Sequence, residues 1–225
     1  METKNATKAY QDYSRRMIQE GVSNLQRDYS FHIHFQGWRT WGRVLDFGGR
    51  IGEKTERIDN VVVIEIDDTA RREMKRNGRK CQKRIDTIKN GNVDTIYCSH
   101  VLEHLENPLE YLMKFKRKLR QGGNLILVLP YEANGFNGKA TDGNGHLYAW
   151  NMITINTLLE RAGFRITSSE YGAFATMGEV LGWEPYWMLM QNRVINKLAR
   201  WLSILKCELL NRRDAGELII RATKR

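Results

Sequence analysis

Val44-Leu45-Asp46-Phe47-Gly48-Gly49-Arg50-Ile51-Gly52 is an apolar run that passes directly into a glycine-dense turn. It reads as a buried strand, a tight turn and then a helix. Such a turn suits a nucleotide-like ligand, because glycine has no side chain to keep a ligand off the main chain and a helix opening there offers unpaired N–H groups. The next apolar run, Val61-Val62-Val63-Ile64-Glu65-Ile66-Asp67, ends in an acid about twenty residues after the first glycine, the spacing at which a second strand presents a carboxylate to a ribose diol. The glycines separate two cofactor classes. A dinucleotide fingerprint needs glycine at the first, third and sixth positions, and counted from Gly48 those later positions are Arg50 and Glu53. Nicotinamide and flavin binding are disfavoured.

Outward from this stretch, strands and helices alternate as a parallel α/β sheet requires. Val61 to Ile66 and Leu125 to Leu129 are near-continuous apolar runs, as expected of strands covered on both faces. A helix is predicted after Asn107, with Asn107 as cap, Pro108 at its first position, Glu110 where a capping box places its acid, and Gly122 closing it in a left-handed conformation. Leu109, Leu112, Met113 and Leu119 are its expected buried stripe, and the basic run from Lys114 to Arg120 its solvated face.

With 225 residues, 41% of them hydrophobic, the chain fits one domain with additions and a sizeable core. Its N-terminus is polar and charged rather than signal-like, and no apolar run approaches the ~20 residues that span a bilayer. Cys81, Cys98 and Cys207 lie far apart without a Cys-x-x-Cys pattern, which points to a reduced, cytoplasmic protein. The net charge of +10 attracts polyanions or anionic lipid headgroups. Basic residues gather at Arg71, Arg72, Lys75, Arg76, Arg79, Lys80, Lys83 and Arg84.

Asp46-Phe47-Gly48-Gly49-Arg50-Ile51-Gly52 resembles the first motif of class I S-adenosylmethionine-dependent methyltransferases, Asp-x-Gly-x-Gly-x-Gly, departing from it at Arg50. Val93 to Leu105, Asn107-Pro108-Leu109-Glu110 and Leu119 to Pro130 look like that family's fourth strand, following helix and fifth strand. His146 and Leu158 to Phe164 resemble its quinone-biosynthesis-like branch. The resemblance implies a Rossmann-like, mostly parallel sheet with an antiparallel last strand, helices on both faces, and N-terminal and late helical additions. It implies S-adenosylmethionine as cofactor, held by Asp46, Gly48, Gly49 and Gly52 around the methionine part. Asp67 goes to the ribose hydroxyls, with Glu65 the alternative if the strand ends earlier. Asp86 approaches the adenine and Ser99 borders the sulfur. Arg50 can turn outward, pair with the cofactor carboxylate, or obstruct it.

The acceptor is expected beside His100, Tyr131 and His146, with His146 the first candidate for a catalytic base and His104 the next. Residues 1–42 form the expected lid, 43–175 the cofactor-binding core, 176–213 a helical insertion with an aromatic stripe, and 214–225 the closing strand. A small-molecule, lipid or glycan acceptor is the leading expectation. A nucleic acid is the alternative, although Ser99-His100-Val101-Leu102 stands where a nucleic-acid amino-methyltransferase would carry Asn or Asp with Pro-Pro and an aromatic. A non-catalytic scaffold is the other alternative. The insertion also fits peripheral membrane contact or a homodimer face. No metal is expected: His32 and His34 would share one face of a strand, but no third ligand can be named.

Overall fold

The structure, a computed structural model, describes residues 30–35, 41–130, 145–172 and 217–225. Its strands are β1 (Val44–Phe47), β2 (Val61–Ile64), β3 (Cys81–Gln82), β4 (Val93–Ser99), β5 (Leu119–Pro130), β6 (Phe164–Gly172) and β7 (Glu217–Lys224). The helices among the described residues are α1 (Asp68–Arg76), α2 (Pro108–Lys118) and α3 (Met152–Arg161). The sheet order is β3-β2-β1-β4-β5-β7-β6. β1 to β5 pair in parallel, while β7 is antiparallel to both β5 and β6.

From β1 the chain winds outward through β2 and β3, then returns to lay β4 on the other side of β1. Connections therefore diverge between β1 and β4, and the crevice at their carboxyl ends is where an open α/β sheet takes its ligand. Gly48 to Gly52 and Ser99 to His104 both leave the sheet there.

Alternation along the strands assigns two faces. Leu45, Phe47, Ile96, Cys98, Leu125 and Leu127 pack with Leu112 and Phe115 of α2 in the larger core. Tyr97, Ile126, Val128 and Ile219 point the other way, against Phe35, with Ile33, Trp41 and Ile58 at the rim. The Phe35 ring stands 4.7 Å from Tyr97 and 5.7 Å from Trp41. Residues 30–35 thus cover apolar sheet surface. The remainder of the expected lid, apart from Trp41 and Gly42, and the whole 176–213 insertion lie outside the described residues.

α2 departs from its sequence reading in detail. Asn107 caps it by accepting from the Glu110 N–H at 3.2 Å, and Pro108 holds the first turn. Glu110 does not reach back to the cap; it pairs with Lys114 at 2.8 Å. The buried stripe is Leu112, Phe115 and Leu119, whereas Met113 is 48% exposed. Helix geometry turns about 100° per residue, so Phe115 follows Leu112 onto the core and Met113 rotates away. The helix ends at Lys118, before Gly122, and Leu119 already pairs with Val93 as strand. Gly122 is left-handed at φ +70°, but within the irregular opening of β5.

Candidate active site

The glycine turn is held from below by Asp46. This residue is 1% exposed, and its Oδ2 accepts from the Thr55 hydroxyl at 2.7 Å. A Cβ at Gly49 would stand 2.4 Å from the Asp46 carboxyl carbon, so the turn closes over the carboxyl only because Gly49 lacks a side chain. Gly48 and Gly52 are left-handed, at φ +72° and +76°. Arg50 adopts the same left-handed region at φ +51°, a conformation that favours glycine borne here by a bulky side chain. Its guanidinium folds back onto Glu53, and both side chains are largely buried. The outward turn expected for Arg50 does not occur: its side chain turns inward, within the turn itself. The other carboxyl oxygen of Glu53, Oε2, is buried with no hydrogen-bond partner among the described residues.

At the end of β2 the two acids divide. The Asp67 carboxylate accepts from the N–H groups of Thr69 at 2.6 Å and Ala70 at 2.9 Å, capping α1. Glu65, 1% exposed, accepts from the N–H of Arg50 at 2.9 Å and of Asp67 at 2.8 Å, tying the glycine turn to the strand end. β2 stops at Ile64, so Glu65 is the first residue beyond it. Asp86 lies on an exposed turn after β3, paired with Arg84 at 3.2 Å. Arg71, expected in the surface basic cluster, is buried and donates to the Glu65 carbonyl.

At the end of β4, Lys54 Nζ donates to the Ser99 hydroxyl at 2.9 Å, joining the turn to the strand. His100 is left-handed at φ +54° and donates its N–H to the Val128 carbonyl at 2.9 Å. A non-glycine residue in that region is uncommon and clusters at functional sites. The bend sends its imidazole to Glu217 at the start of β7, Nε2 to Oε1 at 2.9 Å. His34 reaches the same carboxylate, Nε2 to Oε2 at 3.0 Å, and its Nδ1 accepts from the Tyr97 hydroxyl at 2.8 Å. Burial alone would push Glu217 up; the His34 and His100 imidazoles beside it hold it well below the usual carboxylate range. Burial holds His100 below its ordinary value, against the opposing hydrogen bond to Glu217, so its imidazole is neutral near pH 7. Burial pushes the Tyr97 phenol well above its ordinary value, so it stays protonated.

Beyond His100 a short 3-10 turn, Leu102–His104, presents Glu103 and His104. Glu103 is fully buried, with His100 Nδ1 at 3.8 Å and His104 Nε2 at 3.9 Å from its Oε1. His146 packs against His104, ring centroids 4.8 Å apart and tilted 65°. The two histidines named as base candidates are therefore neighbours. Tyr131 lies outside the described residues. The paired-imidazole reading of His32 and His34 is overturned, because Ser30–His34 is a π-helical turn rather than a strand and His34 is spent on Glu217 and Tyr97. Sequence reasoning missed Glu103, Glu217 and Tyr97. Glu103 stood within the quoted block, and a buried acid flanked by histidines was the available signal; Glu217 lies 183 residues from His34 and carried none.

Residues 15–169, more than half of the chain, match the family described as a methyltransferase domain. No curated protein sequence matches. Among solved structures, a SAM-dependent methyltransferase from Archaeoglobus fulgidus superposes with a TM-score of 0.65 at 16% identity, over 94% of this chain and 99% of that one. An S-adenosylmethionine-dependent methyltransferase from Mesorhizobium loti gives 0.60 at 15%, over 89% and 100%. The [4+2]-cyclase SpnF gives 0.59 at 18%, over 88% and 79%, and likenesses at these identities speak for the fold alone. Glycine turn, strand order with the antiparallel β7, and family match agree: the chain belongs to the class I S-adenosylmethionine-dependent methyltransferases.

Proposed function

We propose that the chain transfers a methyl group from S-adenosylmethionine to a small-molecule, lipid-like or glycan acceptor carrying an ionisable hydroxyl. The observation that carries this reading is the continuous polar line from the glycine turn through Lys54 and Ser99 to His100, Glu103, His104 and His146 at the switch point of the sheet.

The residues present suit the cofactor. Gly48 and Gly49 keep the turn bare, and Glu53 Oε2 is a buried acceptor fit for a cationic ammonium. Glu65 stands at the strand end from which a carboxylate meets a ribose diol, while Asp67 is engaged in capping α1; we therefore move the ribose role from Asp67 to Glu65. Asp86 keeps its role toward the adenine, and Ser99 toward the sulfur. Bound there, the cofactor supplies a methyl group already electrophilic on its sulfonium, and no metal is needed to activate it.

What the chain adds is alignment and a proton acceptor. Asp46 works from beneath, holding the glycine turn in place through Thr55 and Gly49. His100 is a positioning residue, since its Nε2–H is committed to Glu217. His146, half-buried, takes the proton of the acceptor hydroxyl, with His104 beside it.

Calorimetric titration with S-adenosylmethionine and S-adenosylhomocysteine tests the reading. Wild-type protein and Asp67→Asn, whose new amide can still cap α1, should bind with about micromolar affinity, and Glu65→Gln should lose at least about tenfold. Wild type that binds neither ligand ends the methyl-transfer reading, and loss confined to Asp67→Asn returns the ribose role to Asp67. With an acceptor in hand, His146→Ala should lower kcat by about 10²-fold or more.

A further inference from the structure

We propose that Glu103, His104 and His146 form a binding site for one divalent transition-metal ion of the zinc type, at the acceptor end of the crevice. The inference goes beyond the methyl-transfer reading and does not rest on it. It also revises the expectation of a site without metal.

One ligand atom from each of the three residues lies within 4.8 Å of the others. Two donors on a zinc-type ion, each about 2.0–2.2 Å from it, sit roughly 3.3 Å apart, so modest side-chain rotation closes the set. The two imidazoles lie on the surface side, His104 30% exposed and His146 half-buried, while Glu103 is buried beneath them. Two imidazoles and one carboxylate are a borderline-soft donor set that selects zinc-like ions over magnesium or calcium and leaves a coordination position open.

A second observation points the same way. His104 Nδ1 faces the Gly145 carbonyl at 3.4 Å, and donation there leaves Nε2 as the lone-pair nitrogen turned toward Glu103. A histidine that ligates a metal almost always donates its other ring N–H in this manner, fixing tautomer and ring plane. The two segments are also stitched together by main chain: Leu147 N–H donates to the Glu103 carbonyl at 2.8 Å, and the Tyr148 hydroxyl to the Glu106 carbonyl at 2.9 Å. The two segments that carry the ligands are thus joined before any ion arrives. With the ion bound, His104 and His146 are ligands rather than bases. An ion held there by Glu103, His104 and His146 would supply Lewis acidity at its open coordination position.

The test is calorimetric titration of chelator-stripped full-length protein with Zn²⁺, with Co²⁺ followed by visible absorption as a reporter of coordination. We expect one ion per chain, about micromolar or tighter, and at least about 100-fold weaker binding in His104→Ala and in His146→Ala, each checked for folding by circular dichroism. Cys81→Ser, which removes the partly exposed thiol elsewhere, should bind as wild type does. Folded wild type that takes up no zinc, or both histidine variants with undiminished affinity, would overturn the site. Zinc uptake without any S-adenosylhomocysteine binding would leave the metal site standing and sink the methyl-transfer reading instead.

Discussion

Asp46 carries the clearest consequence at the scale of single residues. Burial pushes its carboxyl from 3.8 up to about 7, with the Thr55 hydroxyl opposing the shift. Between those values the folded protein holds a proton that the unfolded chain has already lost. Stability therefore falls as pH rises from about 4 to 7 and levels off above, by at most about 1.4 kcal/mol per pH unit from this group. Asp46→Asn should flatten that decline in denaturant unfolding compared at about pH 5 and pH 7; an unchanged decline would show that the carboxyl ionises freely in the fold. Residue identity at this site was partly legible in the sequence. Asp46 and the glycines stood out through their spacing. The choice between Glu65 and Asp67 did not, because both lie on the same side of the strand's alternation and only the end of β2 at Ile64 separates them. Arg50 was legible as an anomaly but not in its resolution, since its partner Glu53 and its left-handed backbone emerge only once the turn is folded.

Among the elements, the N-terminal turn Ser30–His34 has its carbonyl end held by a single guanidinium. Arg221 of β7, 8% exposed, donates through Nη2 to the carbonyls of Ile33 at 2.6 Å and His34 at 3.2 Å, and through Nη1 to Ser168 and Glu170 of β6. They stand at the carbonyl end of the Ser30–His34 turn, where the guanidinium acts as their cap. Arg221→Ala should cost about 2–4 kcal/mol and raise amide exchange in residues 30–35 more than in β4. Equal exchange in both segments would mean that the turn is held without Arg221, by Phe35 packing and the His34 hydrogen bonds to Glu217 and Tyr97. The strands β1, β2, β4 and β5 could be read from their apolar runs, and so could the start of α2 from Asn107 and Pro108. Its end could not: Gly122 offers a stop signal, yet Leu119 is drawn into pairing with Val93, and tertiary pairing outweighs the local signal.

For the molecule as a whole, the net charge of +10 understates the basic surface, because among the described residues six acids, Asp46, Glu53, Glu65, Asp67, Glu103 and Glu217, are buried against three bases. Arg71, Lys118 and Arg221 are buried and spend their donors on backbone carbonyls, as Lys118 Nζ does on Ile88 at 2.6 Å. Fold class was legible because helix and strand periods alternate locally. The polar line through His34, Tyr97, Glu217 and His100 was not, because it joins three distant parts of the chain. That distance has a consequence in time. β7 must slot between β5 and β6 before Glu217 can meet His34 and His100, closing a loop of 183 residues. Local contacts form early in folding and such distant ones late. During refolding, competence to bind S-adenosylhomocysteine should therefore appear only in the slowest phase, after the far-ultraviolet helix signal has recovered. Binding that returned together with that signal would show that the crevice assembles without β7. On this ordering a partly folded chain has no assembled crevice, and ligand binding itself serves as a clock for the last event of folding.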